Sequence, residues 1–461
     1  MSMIDREKLK NQMTGWVRDL TRWPHRMTGT KEGQESAEYV QKVFEESGLE
    51  NVQILEADSL CTDVLKSEFI VEGKKQDCFL SNGTNKKEET GKFLTDIQDA
   101  ELVYVRDGLN GALDDIDVNG KIVICDVFFI PHFWKETPAT KFYSPNGEFE
   151  REREIYSVYM PENYIETYYK AMESGAAAYI GVLQNFMDEY FYNEDYSYVI
   201  EQEDPMAIPT MWMSKEKGKA LTESLPAKAD LVVETNTEYK KALTVVGTLE
   251  GMSEDITLIQ SHHDAAVEGG VQDASGMSVV FALAQYYASL PKEQRRTNMM
   301  FLSTDSHYTD YEGHDRFLDL MEEQGKTIAI DFCVEHIAKE MDLGPDNEMI
   351  IYDRPETRIL YATDIKGLAD MAFETFCEHD MAHTMLMPAA PYGSDDYDPD
   401  FVCTDAYSMH ERGIPLISHL TAPMYLSHNS DTFDKVYFDG LVPTAETYID
   451  MVSKAWDILK Y

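Results

Sequence analysis

Histidine and acidic side chains follow four predicted strands at the points where those strands end. The clusters are SHHDAA after ITLIQ, TDSHYTDYEGH after NMMFL, EHIAKE after IDFCV, and SHNSDTFD after GIPLISHL and its loop. His, Asp and Glu supply the nitrogen and oxygen ligands of divalent metals. Ligands of open α/β sheets bind beyond the carboxyl ends of the strands. The four clusters should therefore meet at one rim, and the pattern predicts a metal site there.

The first cluster offers one histidine to the site and a carboxylate to orient it. Successive strand residues face opposite ways, so His262 and Asp264 share a face and His263 points to the other. Asp264 is suited to fixing the direction of the His262 ring. The alternative is that each histidine is a hydrogen-bonded structural residue.

Three further candidates come from the other clusters. Asp273 stands just before a helix predicted to begin at Ser275, where it is either a metal ligand or a carboxylate at a helix N-terminus. Glu335 ends an apolar strand, where an unpaired carboxylate is costly, so it binds a metal or forms a salt bridge. Asp431 follows His428 by three residues and either orients that ring or caps the next turn.

The pattern of elements predicts an α/β protein with an insert. From about Glu238 onward, apolar strands alternate with helices, which indicates a mostly parallel central sheet with helices on both faces. Residues 58–235 are instead predicted to form short strands and polar loops, including a Tyr- and acid-rich stretch near 185–204. We expect residues 1–57 and 236–461 to form the α/β domain, and residues 58–235 to form a β-rich insert.

The order of these motifs resembles a known family. H-x-D, D-A-S-G, an acidic loop, a strand-end acid and a late H-x-x-D-T resemble the two-zinc aminopeptidases, including the glutamate carboxypeptidase and transferrin receptor branch. GIPLISHLTAPMYLSHNSDTFDKV is the most specific part. DVNGKIVICDV and KAMESGAAAYIGV resemble pieces of the protease-associated domain that is often inserted in this family. The resemblance implies a zinc-aminopeptidase-like fold with a protease-associated-like insert.

The resemblance also implies roles for individual residues. His262 corresponds to the first histidine ligand, Asp264 to the carboxylate two residues later, Glu335 to the strand-end acid ligand and His428 to the late histidine ligand. In the family, one ion takes the first histidine and the strand-end acid. The other takes a glutamate and the late histidine, and an aspartate bridges both ions.

The sequence departs from the family in two places. The position of the bridging aspartate falls on Gln272, with Asp273 one residue later, so either Asp273 has moved into the bridge or the bridge is missing. The family's Glu-Glu pair, which supplies a base and a ligand, is absent. His307 is then the candidate replacement ligand and Asp305 the candidate base, with Glu312 in reserve.

These residues predict a metal-dependent hydrolase. A water whose pKa is lowered by the ion attacks a carbonyl, and Asp305 takes the proton and returns it to the leaving group. We expect one or two divalent ions, zinc by family resemblance, although imidazole and carboxylate without thiolate also admit manganese or iron. The expected substrate is a short peptide or amino-acid amide.

Two alternatives remain open at this point. The first is hydrolysis of a small non-peptide carbonyl, such as an N-acyl amino acid, a cyclic amide or a cyclic ketone. The second is a non-catalytic binding protein of the same fold, as in transferrin-receptor-like members of the family. Whether the chain forms a homo-oligomer is also open.

Composition excludes several classes of protein. The 461 residues are 43% hydrophobic and 11% aromatic, enough to form sizeable cores rather than a disordered chain. The net charge of −44 disfavours nucleic acid and anionic membranes as partners. MSMIDREKLK lacks the apolar stretch of a signal peptide, and none of the six cysteines forms a C-x-x-C pair. We therefore expect a cytoplasmic protein without a membrane span.

Overall fold

The helices and strands are those of a computed structural model that describes residues 5–81, 89–129, 131–145, 149, 151–156, 161–187 and 206–461. Most of the Tyr- and acid-rich stretch near 185–204 lies outside the described residues. The helices are α1 (Arg6–Leu20), α2 (Lys31–Glu46), α3 (Tyr164–Glu173), α4 (Lys215–Glu223), α5 (Gly276–Ser289), α6 (Glu312–Glu323), α7 (Leu368–Glu378), α8 (Tyr407–Glu411) and α9 (Phe438–Leu459).

The strands form one large mixed sheet and two small two-stranded sheets. They are β1 (Glu50–Val71), β2 (Lys74–Lys75), β3 (Phe79–Leu80), β4 (Gly91–Tyr104), β5 (Ile122–Val127), β6 (Pro131–Phe133), β7 (Lys141–Tyr143), β8 (Glu154–Tyr156), β9 (Ala178–Leu183), β10 (Thr210–Ser214), β11 (Lys228–Leu249), β12 (Ile256–His262), β13 (Asn298–Thr304), β14 (Ile328–Val334), β15 (Lys339–Leu343), β16 (Met349–Pro355), β17 (Arg358–Thr363), β18 (Thr384–Ala389) and β19 (Leu416–Thr421).

The centre of the large sheet is parallel. Its order is β3-β10-β9-β5-β4-β11-β13-β12-β14-β19-β17-β18-β7, and β1 pairs with β11 as well. Strands β13, β12, β14 and β19 run parallel to one another, while β11 and β17 join them antiparallel. The carboxyl ends of β12, β13 and β14 therefore lie at the same edge. The predicted α/β class is confirmed.

Both faces of the parallel strands are covered by helices. Ile259 and Phe301 belong to a core that includes α1, α5 and α9. Their neighbours Leu258 and Met300 belong to a second core with Phe317 of α6 on the opposite face. Because successive strand residues face opposite sides, the continuous apolar runs of β12 and β13 are those of strands buried on both sides.

Two long strands cross the predicted boundaries of the insert. β1 runs through residue 58 and β11 runs through residue 235, and the two pair antiparallel along almost their whole length. From the same predicted insert, β7 pairs with β18 at the far edge of the large sheet. The division of the chain at 58 and 235 stays a prediction.

No helix in the described ranges has both the length and the apolar character that crossing a membrane requires.

The turn between α1 and α2 is held by a buried arginine. Arg26 is fully buried, and its guanidinium donates to the carbonyl oxygens of Leu20 (2.9 Å), His263 (2.7 Å), Glu268 (2.6 Å) and Gly269 (3.1 Å). Its positive charge therefore faces carbonyl dipoles, and burial lowers the pKa of this guanidinium. These bonds tie the N-terminal segment to the loop that follows β12.

We expect Arg26→Met to destabilise the protein strongly. Each buried carbonyl that loses its donor costs about 1–3 kcal/mol, so the free energy of unfolding should fall by about 3 kcal/mol or more. Denaturant titration followed by circular dichroism measures this fall. The matched control is Arg316→Met, because Arg316 is 41% exposed and has one ion pair at 3.5 Å. That variant should stay within about 0.5 kcal/mol of the wild type. Equal stability of the two variants would contradict the role given to Arg26.

Candidate metal centre

Three neighbouring parallel strands deliver side chains to one edge of the sheet. β12 ends at His262, β13 ends at Thr304 opposite it, and Glu335 directly follows β14. The short turn after β13 brings His307 to the same edge. This is the edge at which the strand-end clusters were predicted to meet.

Three side chains converge closely enough to bind one ion. His262, His307 and Asp405 each offer a ligand atom, and these atoms all lie within 4.8 Å of one another. The two imidazole rings stack with their centroids 4.3 Å apart. All three residues are buried. Ligands about 2.0–2.2 Å from a shared metal lie within roughly 4.4 Å of each other, so shifts of a few tenths of an ångström would bring the cluster to the dimensions of a metal site.

The tautomer of His262 leaves the lone pair of Nε2 without a partner inside this cluster. Its Nδ1 lies 3.0 Å from the Asp264 carbonyl oxygen and 3.1 Å from the Asp264 carboxylate, both of which are acceptors. Nδ1 therefore carries the hydrogen, and the lone pair is on Nε2. That Nε2 is buried and has no hydrogen-bond partner among the described residues. A buried acceptor without a partner is costly, and a metal ion at this position would supply one.

Asp405 reaches the cluster from the loop between β18 and α8. One carboxylate oxygen lies 2.7 Å from His307 Nδ1. The other accepts from Thr304 Oγ1 at 3.2 Å and lies 3.6 Å from His314 Nε2. Burial by itself would raise the pKa of Asp405, but the imidazoles of His262 and His307 hold it well below its usual range.

Sequence reasoning missed Asp405 because it follows no strand. The one local signal is its setting, since it stands between apolar residues in FVCTDAYSM, and both Val402 and Ala406 are buried. An acid inside such a run needs a partner in the fold.

Glu335, predicted as a metal ligand, borders the cluster and is not among the three side chains that converge. Its Oε1 accepts from the backbone amide of Asp405 at 2.7 Å and from Cys333 Sγ at 3.0 Å. Burial and the neighbouring Asp405 carboxylate raise the pKa of Glu335. The ends of β14 and the Asp405 loop are thus joined at the site.

Asp273 makes a different set of contacts. One of its oxygens accepts from Ser261 Oγ, and the other accepts from the amides of Gly276 (3.0 Å) and His336 (3.1 Å). Burial and the Glu335 carboxylate raise the pKa of Asp273. It is Gln272 whose side chain meets the cluster, with its Nε2 3.3 Å from His307 Nε2.

The predicted base, Asp305, lies among hydrogen-bond donors of the surrounding chain. One oxygen accepts from Thr28 Oγ1 at 2.5 Å and from the Ser306 amide at 2.7 Å. The other accepts from the Leu243 amide at 2.9 Å. The carboxylate therefore joins the N-terminal turn and β11 to the end of β13. The reserve candidate, Glu312, accepts from Thr309 Oγ1 at 2.8 Å.

His428 and Asp431 organise the loop after β19. The Ser430 amide donates to His428 Nδ1 at 2.9 Å, and the His428 ring lies 5.9 Å from that of Phe186. Asp431 accepts from the amides of Val271 (2.7 Å) and Gln272 (3.0 Å). Asp431 thus fixes the turn at 270–275 that carries Gln272 into the site.

The structure therefore brings His262 and His307 together, with Asp264 behind His262 and Glu335 at the border. Asp273, Asp305 and His428 make the other contacts described above. The functional roles of all these residues stay predictions.

Comparison with known proteins identifies the fold. No protein-family model and no curated protein matches the sequence. Among solved structures, a zinc aminopeptidase of Bacillus subtilis is 15% identical with a TM-score of 0.66, covering 97% of this chain and 94% of that one. A peptidase M28 precursor of Shewanella amazonensis is 14% identical with a TM-score of 0.62, covering 98% and 96%.

A third structure, an aminopeptidase of Aneurinibacillus sp. strain AM-1, is 19% identical with a TM-score of 0.59 and covers 97% of this chain and 93% of that one. Likeness at such identities concerns the fold, and it extends over nearly the whole length of each protein. The glutamate carboxypeptidase and transferrin receptor branch and the protease-associated nature of residues 58–235 stay predictions. The chain has a zinc-aminopeptidase-like α/β fold.

Proposed function

We propose that this protein is a metal-dependent hydrolase in which an activated water attacks a carbonyl group. The observation that carries the proposal is the bare, buried Nε2 of His262, in a cluster whose ligand atoms lie within 4.8 Å of one another. The similar structures described as aminopeptidases support the same reaction class.

The side chains of the cluster suit a divalent ion. Two imidazoles and a carboxylate without thiolate fit zinc, and they also fit manganese or iron. We favour zinc because a similar structure is described as a zinc aminopeptidase. Such an ion supplies Lewis acidity, which lowers the pKa of a water molecule and polarises the carbonyl of the substrate.

The protein's own groups then orient the site and move the proton. Asp264 holds the His262 ring through Nδ1. Asp405 lies 2.7 Å from His307 Nδ1, so it fixes that ring and is itself a candidate ligand. Asp305 already accepts three hydrogen bonds from the chain. We therefore assign proton transfer to Glu335, which adjoins the cluster and receives the proton from the attacking water before passing it to the leaving group.

The preferred substrate is a short peptide or an amino-acid amide. The alternative is a small non-peptide carbonyl, such as an N-acyl amino acid or a cyclic amide. The hydrogen bonds of Asp305 favour that alternative, because they occupy the carboxylate expected to replace the family's glutamate base. A non-catalytic binding protein would show neither ion dependence nor turnover.

We expect His262→Ala, His307→Ala and Asp405→Ala each to lose bound metal and activity together, since three protein ligands cannot be reduced to two without loss of geometry. Asp264→Asn should weaken metal binding by about 10–100-fold without abolishing it, because Asp264 orients a ligand. Metal content is measured by mass spectrometry. His379→Ala is the control, because His379 pairs with Asp450 and is partly exposed. Unchanged metal in His262→Ala would refute the site.

Paired substitutions separate the two candidate bases. Glu335→Gln should lower kcat by about 10²–10⁴-fold with the metal retained, as expected for loss of a general base. Asp305→Asn should instead lower the free energy of unfolding by about 1–3 kcal/mol, because it disturbs the three hydrogen bonds of a buried carboxylate. Steady-state kinetics and thermal melts distinguish these outcomes. A stable Asp305→Asn protein with kcat reduced a hundredfold would return the role to Asp305.

Chelation should inactivate the wild type, and one divalent ion should restore it best. On aminoacyl anilides we expect turnover below the ~10 per second typical of enzymes, because the usual glutamate base is absent. N-acyl amino acids and cyclic amides complete the substrate panel. Turnover that is indifferent to chelation on every substrate would argue against a metallohydrolase.

A further inference from the structure

The proposed function leaves the number of ions open, and the surroundings of Gln272 bear on that number. Resting on that function, we infer that the centre holds a single divalent ion, bound by His262, His307 and Asp405. Gln272 has a neutral amide at the position where the family has the carboxylate that bridges two ions.

Within the described residues, His262, His307 and Asp405 form the one group of three or more metal-ligating side chains that converge. A two-ion centre places its ions about 3.5–4 Å apart, so it needs a second group of ligands close by. It also needs an anion between the ions to offset their repulsion. Gln272, Asp273 and His428 are the residues that correspond to the family's bridge and late ligand, and each differs from what a second ion needs.

Gln272 stands at the sequence position of the family's bridging aspartate. It is 5% exposed, and its amide nitrogen lies 3.3 Å from His307 Nε2. Its Oε1 has no hydrogen-bond partner among the described residues. Whichever way the amide is turned, it carries no charge and offers a single carbonyl oxygen. It can contact one ion but cannot hold two together as a carboxylate does.

Asp273 has the charge, but its oxygens are already occupied. Three donors reach its carboxylate: Ser261 Oγ, the Gly276 amide and the His336 amide. A carboxylate has roughly four acceptor positions, so most of its capacity is used. The Gly276 amide begins α5, and the His336 amide belongs to the loop after β14. Releasing Asp273 to bind an ion would leave both buried donors unpaired, which is costly.

The hydrogen bond of His428 favours the tautomer that does not suit metal binding through Nε2. Because the Ser430 amide donates to Nδ1, the Nδ1 lone pair is used and the hydrogen of the neutral ring is on Nε2. The Nε2 of His428, like that of His262, is buried without a hydrogen-bond partner among the described residues, but in His262 it is Nδ1 that carries the hydrogen and Nε2 that has the lone pair. In this tautomer the Nε2 of His428 presents a hydrogen rather than a lone pair, and His428 is not among the side chains that converge.

The experiment counts ions in the intact protein. Wild type is loaded with excess zinc, passed through a desalting column with a weak competing chelator to clear exposed carboxylates, and analysed by mass spectrometry for zinc per chain. Calorimetric titration of the metal-free protein with zinc gives the same number independently. The variants are Asp405→Asn and His428→Ala, with Asp396→Asn as the matched control, because Asp396 is exposed in the same acidic loop.

We expect one zinc per chain in wild type, His428→Ala and Asp396→Asn, and loss of tight binding in Asp405→Asn. Circular dichroism verifies folding, and His307→Ala replaces Asp405→Asn should the latter not fold. Two tightly bound ions in wild type, or loss of the ion in His428→Ala, would overturn the single-ion assignment while a chelation-sensitive activity kept the proposed function intact. No tightly bound zinc and no effect of chelation would overturn the proposed function itself.

Discussion

Burial of the Asp405 carboxylate is the constraint around which the site is arranged. The residue is fully buried, and an isolated carboxylate in such a position would be very costly. Its stabilisation comes from His307 and Thr304 at the end of β13, with His314 of α6 nearby. Its backbone amide is bonded to Glu335 after β14. One charge therefore fixes the relative positions of two strand ends, a helix and a long loop.

Arg26 is a second buried charge that holds separate segments of the chain together, and its charge is positive. Its donors meet carbonyl oxygens only, three of which belong to the chain between 263 and 269. The turn carrying Gln272 follows this loop directly and is held from its other side by Asp431. Side chains of a metal centre need to be held within about half an ångström, and buried networks that satisfy every donor supply that rigidity.

The sequence made the central sheet and part of the site predictable, for identifiable reasons. Continuous apolar runs identified β12, β13 and β14, and the residues directly after them, such as His262 and Glu335, had to lie at the sheet edge. Strand alternation would place Asp305 and His307 on the same face. Ser306 between them has a positive φ of 80°, which breaks the alternation, and the two side chains meet different partners. Asp405 was hard to predict because its acidic loop also contains Asp395, Asp396, Asp398 and Asp400, and its apolar neighbours are the one local difference.

The pairing of β1 with β11 has a consequence for how the chain is made. β1 is complete at Val71, yet its partner begins only at Lys228. At a synthesis rate of ~5–20 residues per second, the ribosome delivers that partner roughly ten seconds or more after β1 has emerged. Throughout that interval the nascent chain carries a 22-residue segment whose pairing partner is missing except for the two residue pairs that its end forms with β2. The newly made protein is thus most exposed to association with its neighbours before its metal-binding half has been translated.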